Sequence, residues 1–279
     1  MEVPTNFTFL RTGLTVNRMG YGAMRITGEG IWGPPADKSE AIRVLNTAVD
    51  LGINFIDTAD SYGPFVSEEL IAEALYPYPE GLVIATKGGF ERTGPNEWHV
   101  NGDPKYLRKA LEGSLKRLRL DSIPLYQLHR IDRNVPFDSI FNFLAKAQEE
   151  RLIQHIGLSE VSIADIEEAQ AYVQVVSIQN KYSLDFRKWE EELAYCERSG
   201  LAFIPWNPIN AGNLEVKEGL QKIAERHKAT ENQIALSWLL HKSPNILLIP
   251  GTSKVAHLEE NVRAATLTLT PEEVKELDG

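Results

Sequence analysis

"INFIDTADSYG", residues 53–63, sets a short apolar run directly against an acid, Asp57, and places Tyr62 five residues beyond it. Seven other runs share that build: "MGYGAM" (19–24), "LVIATK" (82–87), "PLYQLH" (124–129), "HIGLSE" (155–160), "VVSIQN" (175–180), "LAFIPW" (201–206) and "ILLIPG" (246–251). Strands this short and apolar suit a parallel sheet covered on both sides by helices. Longer segments of helical period separate them. Eight strand-helix pairs in roughly 250 residues are what a (β/α)8 TIM barrel requires, so the fold class expected is α/β. An open doubly wound sheet is the alternative. The early "FTFLRTGLTVN" reads as an N-terminal β-hairpin capping the barrel bottom.

The helices announce themselves by their ends. "GDPKYLRKALEGSLKRLRL" offers Asp103 as N-cap and Pro104 at the first helical position, with Leu107, Leu111 and Leu118 along one face. Capping boxes open "ATENQIALSWLL" at Thr230 and Gln233, and "TPEEVKEL" at Thr270 and Glu273 behind Pro271. No linker or low-complexity tract divides the 279 residues, and one domain over 1–279 is expected.

Charge narrows the function. Against 29 basic residues stand 39 acidic ones, a net −10, which argues against nucleic acid or an anionic membrane as partner. Any anionic ligand must find a local basic pocket. No stretch approaches the length of a membrane span, and "MEVPTNFTFLRTG" lacks the apolar core of a signal peptide, so a cytoplasmic protein is expected. The single Cys196 allows no internal disulfide, and its helical setting marks it as structural. Oligomeric state is not legible.

In a barrel of this kind the C-terminal strand ends form the active face. Those ends carry Met24 and Arg25, Asp57, Lys87, His129, Ser159 and Glu160, Gln179 and Asn180, Trp206 and Asn207, then Gly251 to Lys254. Period two puts Val83, Ala85 and Lys87 on one face of their strand and Leu125, Gln127 and His129 on another, both assigned to the lumen. An Asp, a Tyr, a Lys and a His then surround one apolar opening. Each alone has an ordinary structural reading, as a turn former or a satisfied core histidine; together on one face they favour chemistry.

The motifs "GINFIDTADSYG", "IATKGG", "LYQLHR", "IGLSE", "QNKYS" and "LIPGTSKVAHLEENV" resemble the aldo-keto reductases over essentially the whole chain. "GYGAMRITG" and "GIWGPPAD" look like a subgroup that includes bacterial pyridoxal reductases. The resemblance implies carbonyl reduction by hydride transfer from NADPH, with Tyr62 as proton donor, Lys87 lowering the tyrosine pKa, Asp57 holding Lys87, and neutral His129 orienting the substrate oxygen. It also implies Ser159 and Gln179 on the nicotinamide carboxamide, Trp206 stacked on the ring, and Asn207, Pro208 and Ile209 along the pyrophosphate. Gly22, Ala23, Met24 and Gly251, Thr252, Ser253, Lys254, with His257, Glu260 and Asn261, complete the NADP(H) contacts expected. No metal is called for. The family usually has Asn where this chain has Glu160, and an ionised carboxylate accepts but does not donate. His257 stands where many relatives carry an arginine for the 2′-phosphate.

"GEGIWG" satisfies a dinucleotide fingerprint with Gly28, Gly30 and Gly33, but Pro34 and Pro35 remove donors where a Rossmann helix would need them. It reads as a flexible loop after the first strand. Trp32 within it, and Trp98 and His99 after the third strand, are candidates to line a small-molecule substrate pocket with His129. Short segments at "NAGNLEVKEG" and after the last helix suggest an open pocket with free cofactor exchange. Two other classes stay in play: a Schiff-base lyase using Lys87, and a non-catalytic NADPH-binding redox sensor.

Overall fold

The computed structural model describes residues 4–10, 12–212 and 218–279. An antiparallel hairpin leads, β1 (Asn6–Thr8) against β2 (Thr15–Asn17), with Phe7 opposite Val16. Then come β3 (Tyr21–Gly22), α1 (Lys38–Asp50), β4 (Phe55–Asp57), α2 (Val66–Leu75) and β5 (Val83–Gly88). A second hairpin, β6 (Phe90–Gly94) and β7 (Glu97–Val100), precedes α3 (Pro104–Leu118), β8 (Ile123–Leu128), α4 (Phe137–Glu149), β9 (Ile153–Ser159) and α5 (Ile163–Ala169). The rest is β10 (Val175–Gln179), α6 (Glu190–Ser199), β11 (Ala202–Phe203), α7 (Glu218–His227), α8 (Glu231–Lys242), α9 (Val255–Arg263) and α10 (Pro271–Asp278).

Seven strands form one parallel sheet in the order β3, β4, β5, β8, β9, β10, β11. The expected eighth run, 246–251, forms no strand. It closes the ring through two isolated parallel bridges, Leu248 with Met19 and Ile246 with Phe203. Gly20 N–H donates to Leu248 O at 2.8 Å and Leu248 N–H to Arg18 O at 2.8 Å. Gly20 is required there, because a Cβ would lie 2.8 Å from Phe55 O and 3.0 Å from Leu248 O. The buried Arg18 side chain adds donors to the carbonyls of Ile246, Leu240, Ser243 and Pro4, and burial pushes its pKa down to about 10.

The pleat sorts the core into two layers. Phe55, Val83, Ala85, Leu125, Val176 and Leu247 fill the lumen together with Phe9 and Val16, so the first hairpin plugs the barrel from below. Ile56, Ile84, Tyr126, Ile156 and Ile178 point outward into the apolar stripes of the helices. Those stripes carry the periodicity of the sequence: Leu107, Leu111 and Leu118 are fully buried, and Asp103 accepts from Lys105 N and Tyr106 N to start α3. The capping boxes at Thr230 and Thr270 both form. Cys196 is buried in α6, and burial pushes its thiol pKa up, which keeps it inert. Among the described residues no helix is long and apolar enough to cross a membrane.

Candidate active site

Because the lumen takes alternate residues, Asp57, Lys87, Gln127 and Gln179 all emerge inward at the C-terminal rim. The Lys87 ammonium is fully buried and has three oxygen partners for its three N–H bonds: Asp57 Oδ1 at 2.5 Å, Thr58 O at 2.8 Å and Tyr62 Oη at 3.4 Å. The other Asp57 oxygen accepts from Gln127 Nε2 at 2.8 Å and Gln179 Nε2 at 2.9 Å. Asp57 is thus the node that ties strands β4, β5, β8 and β10 together beneath the opening. His129 follows β8, and its Nδ1 lies 3.4 Å from Ser61 Oγ. The rings of Tyr62 and His129 meet edge to face at 6.0 Å between centroids.

Burial decides the protonation states. It pushes the Lys87 pKa down, but Asp57 and Tyr62 together outweigh it, so the ammonium ends above its ordinary value of 10.5. Tyr62 is raised by burial first, and Lys87 only partly offsets that. The lysine lowers the cost of a tyrosinate, as expected, yet the net shift is upward because the phenol is nearly enclosed. Tyr62 therefore holds its proton at neutral pH. His129 is driven well below 6.5 by burial and then by Lys87, Arg130 and Arg92, and stays neutral.

The wall above this group comes from the second hairpin, where the sequence pattern predicts a loop. Alternation along β7 turns Trp98 toward the opening, 6.5 Å from the Tyr62 ring, and leaves its neighbour His99 exposed, bonded to Thr93. His99 thus does not line the pocket, for the same period-two reason that brings Trp98 to it. Trp32 does not line it either; the adjacent Ile31 does. The "GEGIWG" loop is tied down rather than loose. Arg92 of β6 spends all five of its N–H bonds on carbonyls, those of Gly30, Ile31, Ser61, Gly94 and Glu97, at 2.8–3.2 Å. Its guanidinium also stacks 3.7 Å from the Trp98 ring centroid.

From this wall a cavity of about 790 Å3 runs across the barrel mouth toward α9. Ser159, Gln179 and Trp206 line one end, Asn207, Pro208 and Ile209 the middle, and Gly22, Met24, Gly251, Thr252 and Ser253 the far side with His257, Glu260 and Asn261. Three expected contacts lie outside it. Ala23 is buried beneath the rim, Lys254 is exposed at the N-cap of α9, and Glu160 is engaged elsewhere. Glu160 Oε1 accepts from Trp206 Nε1 at 2.7 Å and from Lys181 N at 2.6 Å, which fixes the indole rather than facing the cavity. Glu160 and Asn207 both adopt left-handed backbone, φ 55° and 57°, on either side of that indole.

Two further details alter the expected contacts. Both N–H bonds of the Gln179 amide go to Asp57 and Gln127, so its Oε1 is what remains for a ligand amide. At α9, Lys254 N donates to Thr252 Oγ1 and Val255 N to Glu40 Oε1, so the first donors of that turn already have acceptors. Residues to which the sequence reading gave no role include Gln127 as an Asp57 partner, Arg92 as the loop clamp, and Phe90 and Arg130 on the cavity wall, while Arg25, a strand-end residue, lines it as placed. Only Gln127 had a signal, its period-two place on the strand of His129. The stretch 213–217 within "NAGNLEVKEG" lies outside the described residues.

Comparison with known proteins bears on the family and the fold. The model of the Aldo/keto reductase family matches residues 18–279. An uncharacterized oxidoreductase of Schizosaccharomyces pombe is 55% identical, covering 95% of this chain and 87% of that protein. Pyridoxine 4-dehydrogenase of Escherichia coli is 40% identical over 98% of this chain and 97% of its own. A thermostable aldo-keto reductase crystallised with the inhibitor epalrestat superposes with TM-score 0.86 at 32% identity, covering 98% of each chain.

Proposed function

The chain belongs to the aldo/keto reductase family, and from that premise we propose that it reduces pyridoxal-type and other small aldehydes, with Tyr62 giving the proton. It is an NADP-dependent oxidoreductase of carbonyl groups by its family. The observation that carries the assignment of roles is the contact of one buried ammonium, Lys87, with both Asp57 and the Tyr62 hydroxyl, next to a neutral imidazole.

The cofactor supplies a hydride to the carbonyl carbon when bound. The residues fit it. Gly22 lets the first strand pack close to the last run, where a Cβ would lie 2.5 Å from Ile249 O, and Gly22 and Gly251 both line the cavity along that seam. Trp206, held by Glu160, offers a stacking face, and Ser253, Arg25 and His257 on the cavity wall supply the polar and positive groups that a 2′-phosphate needs. The chain's part in the reaction is proton management. A Ser61 hydroxyl donated to His129 Nδ1 leaves the ring proton on Nε2, free to hold the substrate oxygen. Tyr62 donates its proton to that oxygen, and the Lys87 ammonium at 3.4 Å steadies the phenolate that results. Asp57 and its two glutamine donors keep Lys87 charged and fixed. The aromatic wall of Phe90, Trp98 and Tyr62 excludes water and favours a flat substrate.

Pyridoxal is proposed on the 40% identity to the Escherichia coli enzyme and the aromatic pocket. A cytosolic site of action is proposed on the single buried, unpaired thiol of Cys196, which suits a reducing compartment. A Schiff-base role for Lys87 is disfavoured, because an ammonium with three acceptors and a raised pKa is not a nucleophile. Turnover of pyridoxal and a panel of small aldehydes and ketones, followed by NADPH absorbance with NADH in parallel, tests the reading. Tight NADPH binding with no carbonyl consumed would replace it with the sensor role.

A further inference from the structure

Arg130 is a cationic residue of the cavity wall that neither the catalytic group nor the cofactor contacts use. It follows His129 at the end of β8 and lines the cavity near Tyr62, Ser159 and Phe90. One nitrogen, Nη1, donates to His129 O at 2.6 Å and to Ser159 Oγ at 2.9 Å. Its Cζ stands 5.4 Å from the Phe90 ring centroid. Nε and Nη2 donate to nothing, and the guanidinium forms no ion pair, among the described residues. Both oxygens of Asp57 already have donors, and Glu160, the acid whose charge acts on Arg130, has Oε1 committed to Trp206 and Lys181 N and stands beyond ion-pair distance. In a chain of net charge −10, a guanidinium anchored at one nitrogen, stacked at an aromatic edge and left with three N–H bonds toward a cavity is an unusual expense of positive charge.

We propose that Arg130 is an anion subsite, so that the favoured substrates are carbonyl compounds carrying an anionic oxygen, a carboxylate or an ionised phenol, close to the carbonyl. The inference rests on the carbonyl-reductase reading and deepens it. With the carbonyl oxygen between Tyr62 and His129, the next side chain on the rim is Arg130, and its fixed Nη1 presents the other edge of the fork to a substituent of the same molecule. Phe90 and Trp98 press the substrate ring from the side.

The test compares two matched pairs in the full-length protein with NADPH: meta-formylbenzoate against its methyl ester, and pyridoxal against its phenol O-methyl ether. In the wild type, kcat/KM for the anion exceeds that for its neutral partner on the order of tenfold or more, the scale of a charge-assisted hydrogen bond. Arg130→Met brings that ratio toward one, whatever loss both partners share through Ser159, and Arg130→Lys keeps part of it. A preference in the first pair alone assigns the subsite to carboxylates, and in the second alone to phenolates. A wild-type ratio near one in both pairs, or a ratio untouched by Arg130→Met, overturns the proposal while leaving the reductase reading intact. Failure to consume any of the four aldehydes overturns both.

Discussion

Replacing Lys87 by Met separates the structural from the catalytic work of the buried pair. Lys87 and Asp57 are 0% and 2% exposed, so the variant strands a carboxylate in the lumen. Removing one partner of such a pair costs about 3–5 kcal/mol. Asp57 keeps the two amide donors of Gln127 and Gln179, which sets the expectation at the lower end, about 3 kcal/mol. For a domain of this size that is a fall in Tm of roughly 6–12 °C. Because the Lys87 pKa is raised on folding, its contribution is fully present below the ordinary value of 10.5 and fades only as pH rises through the folded value. The gap between wild type and variant thus holds through neutral pH. Reduction falls on the order of 10²-fold, since Tyr62 loses the charge that steadies its phenolate. The double variant Asp57→Asn, Lys87→Met removes the stranded charge and recovers part of the stability but none of the activity. Urea unfolding followed by tryptophan fluorescence, alongside NADPH consumption, reads both. A Lys87→Met protein as stable as the wild type, or a double variant no more stable than the single, would refute the reasoning.

Tyr62→Phe loses on the order of 10²-fold or more in the reduction rate while NADPH still binds, and unaltered turnover rejects Tyr62 as the donor. With His129 held neutral by burial and its cationic neighbours, the rate shows no acid limb at the ordinary histidine value of 6.5 and declines only in strong alkali, since burial raises Tyr62 above its ordinary 10; an acid limb with a midpoint near 6.5 would contradict that. Arg92→Met frees five carbonyls from three segments of the pocket wall, so KM for aromatic aldehydes rises more than for small aliphatic ones; equal changes for both would count against the clamp. Glu273 is held at about 2 by Thr270 N–H, His227 and Arg226, so the stability it adds is present above 4.5 and lost as pH falls toward 2. Glu273→Gln accordingly flattens the acid limb of an unfolding-versus-pH curve.

The barrel, and the placing of Asp57, Lys87 and His129 at its rim, were legible in local sequence patterns. Eight apolar runs, the caps of Asp103, Thr230 and Thr270, and the alternation that aims Asp57, Lys87 and His129 inward are local patterns, written in neighbouring residues. What tertiary structure alone decided are the relations between strands distant in the chain. The eighth run closes the ring without becoming a strand, because bridges from Met19 and Phe203 complete it. Glu160 serves Trp206 instead of a ligand, since its left-handed backbone points the carboxylate along the rim. His99 turns away and Trp98 inward because a hairpin, not a loop, follows β5. Arg92 and Arg130 gave no signal in the sequence: a guanidinium finds its role only once carbonyls and rings from several segments converge around it, and that convergence is set by packing rather than by periodicity.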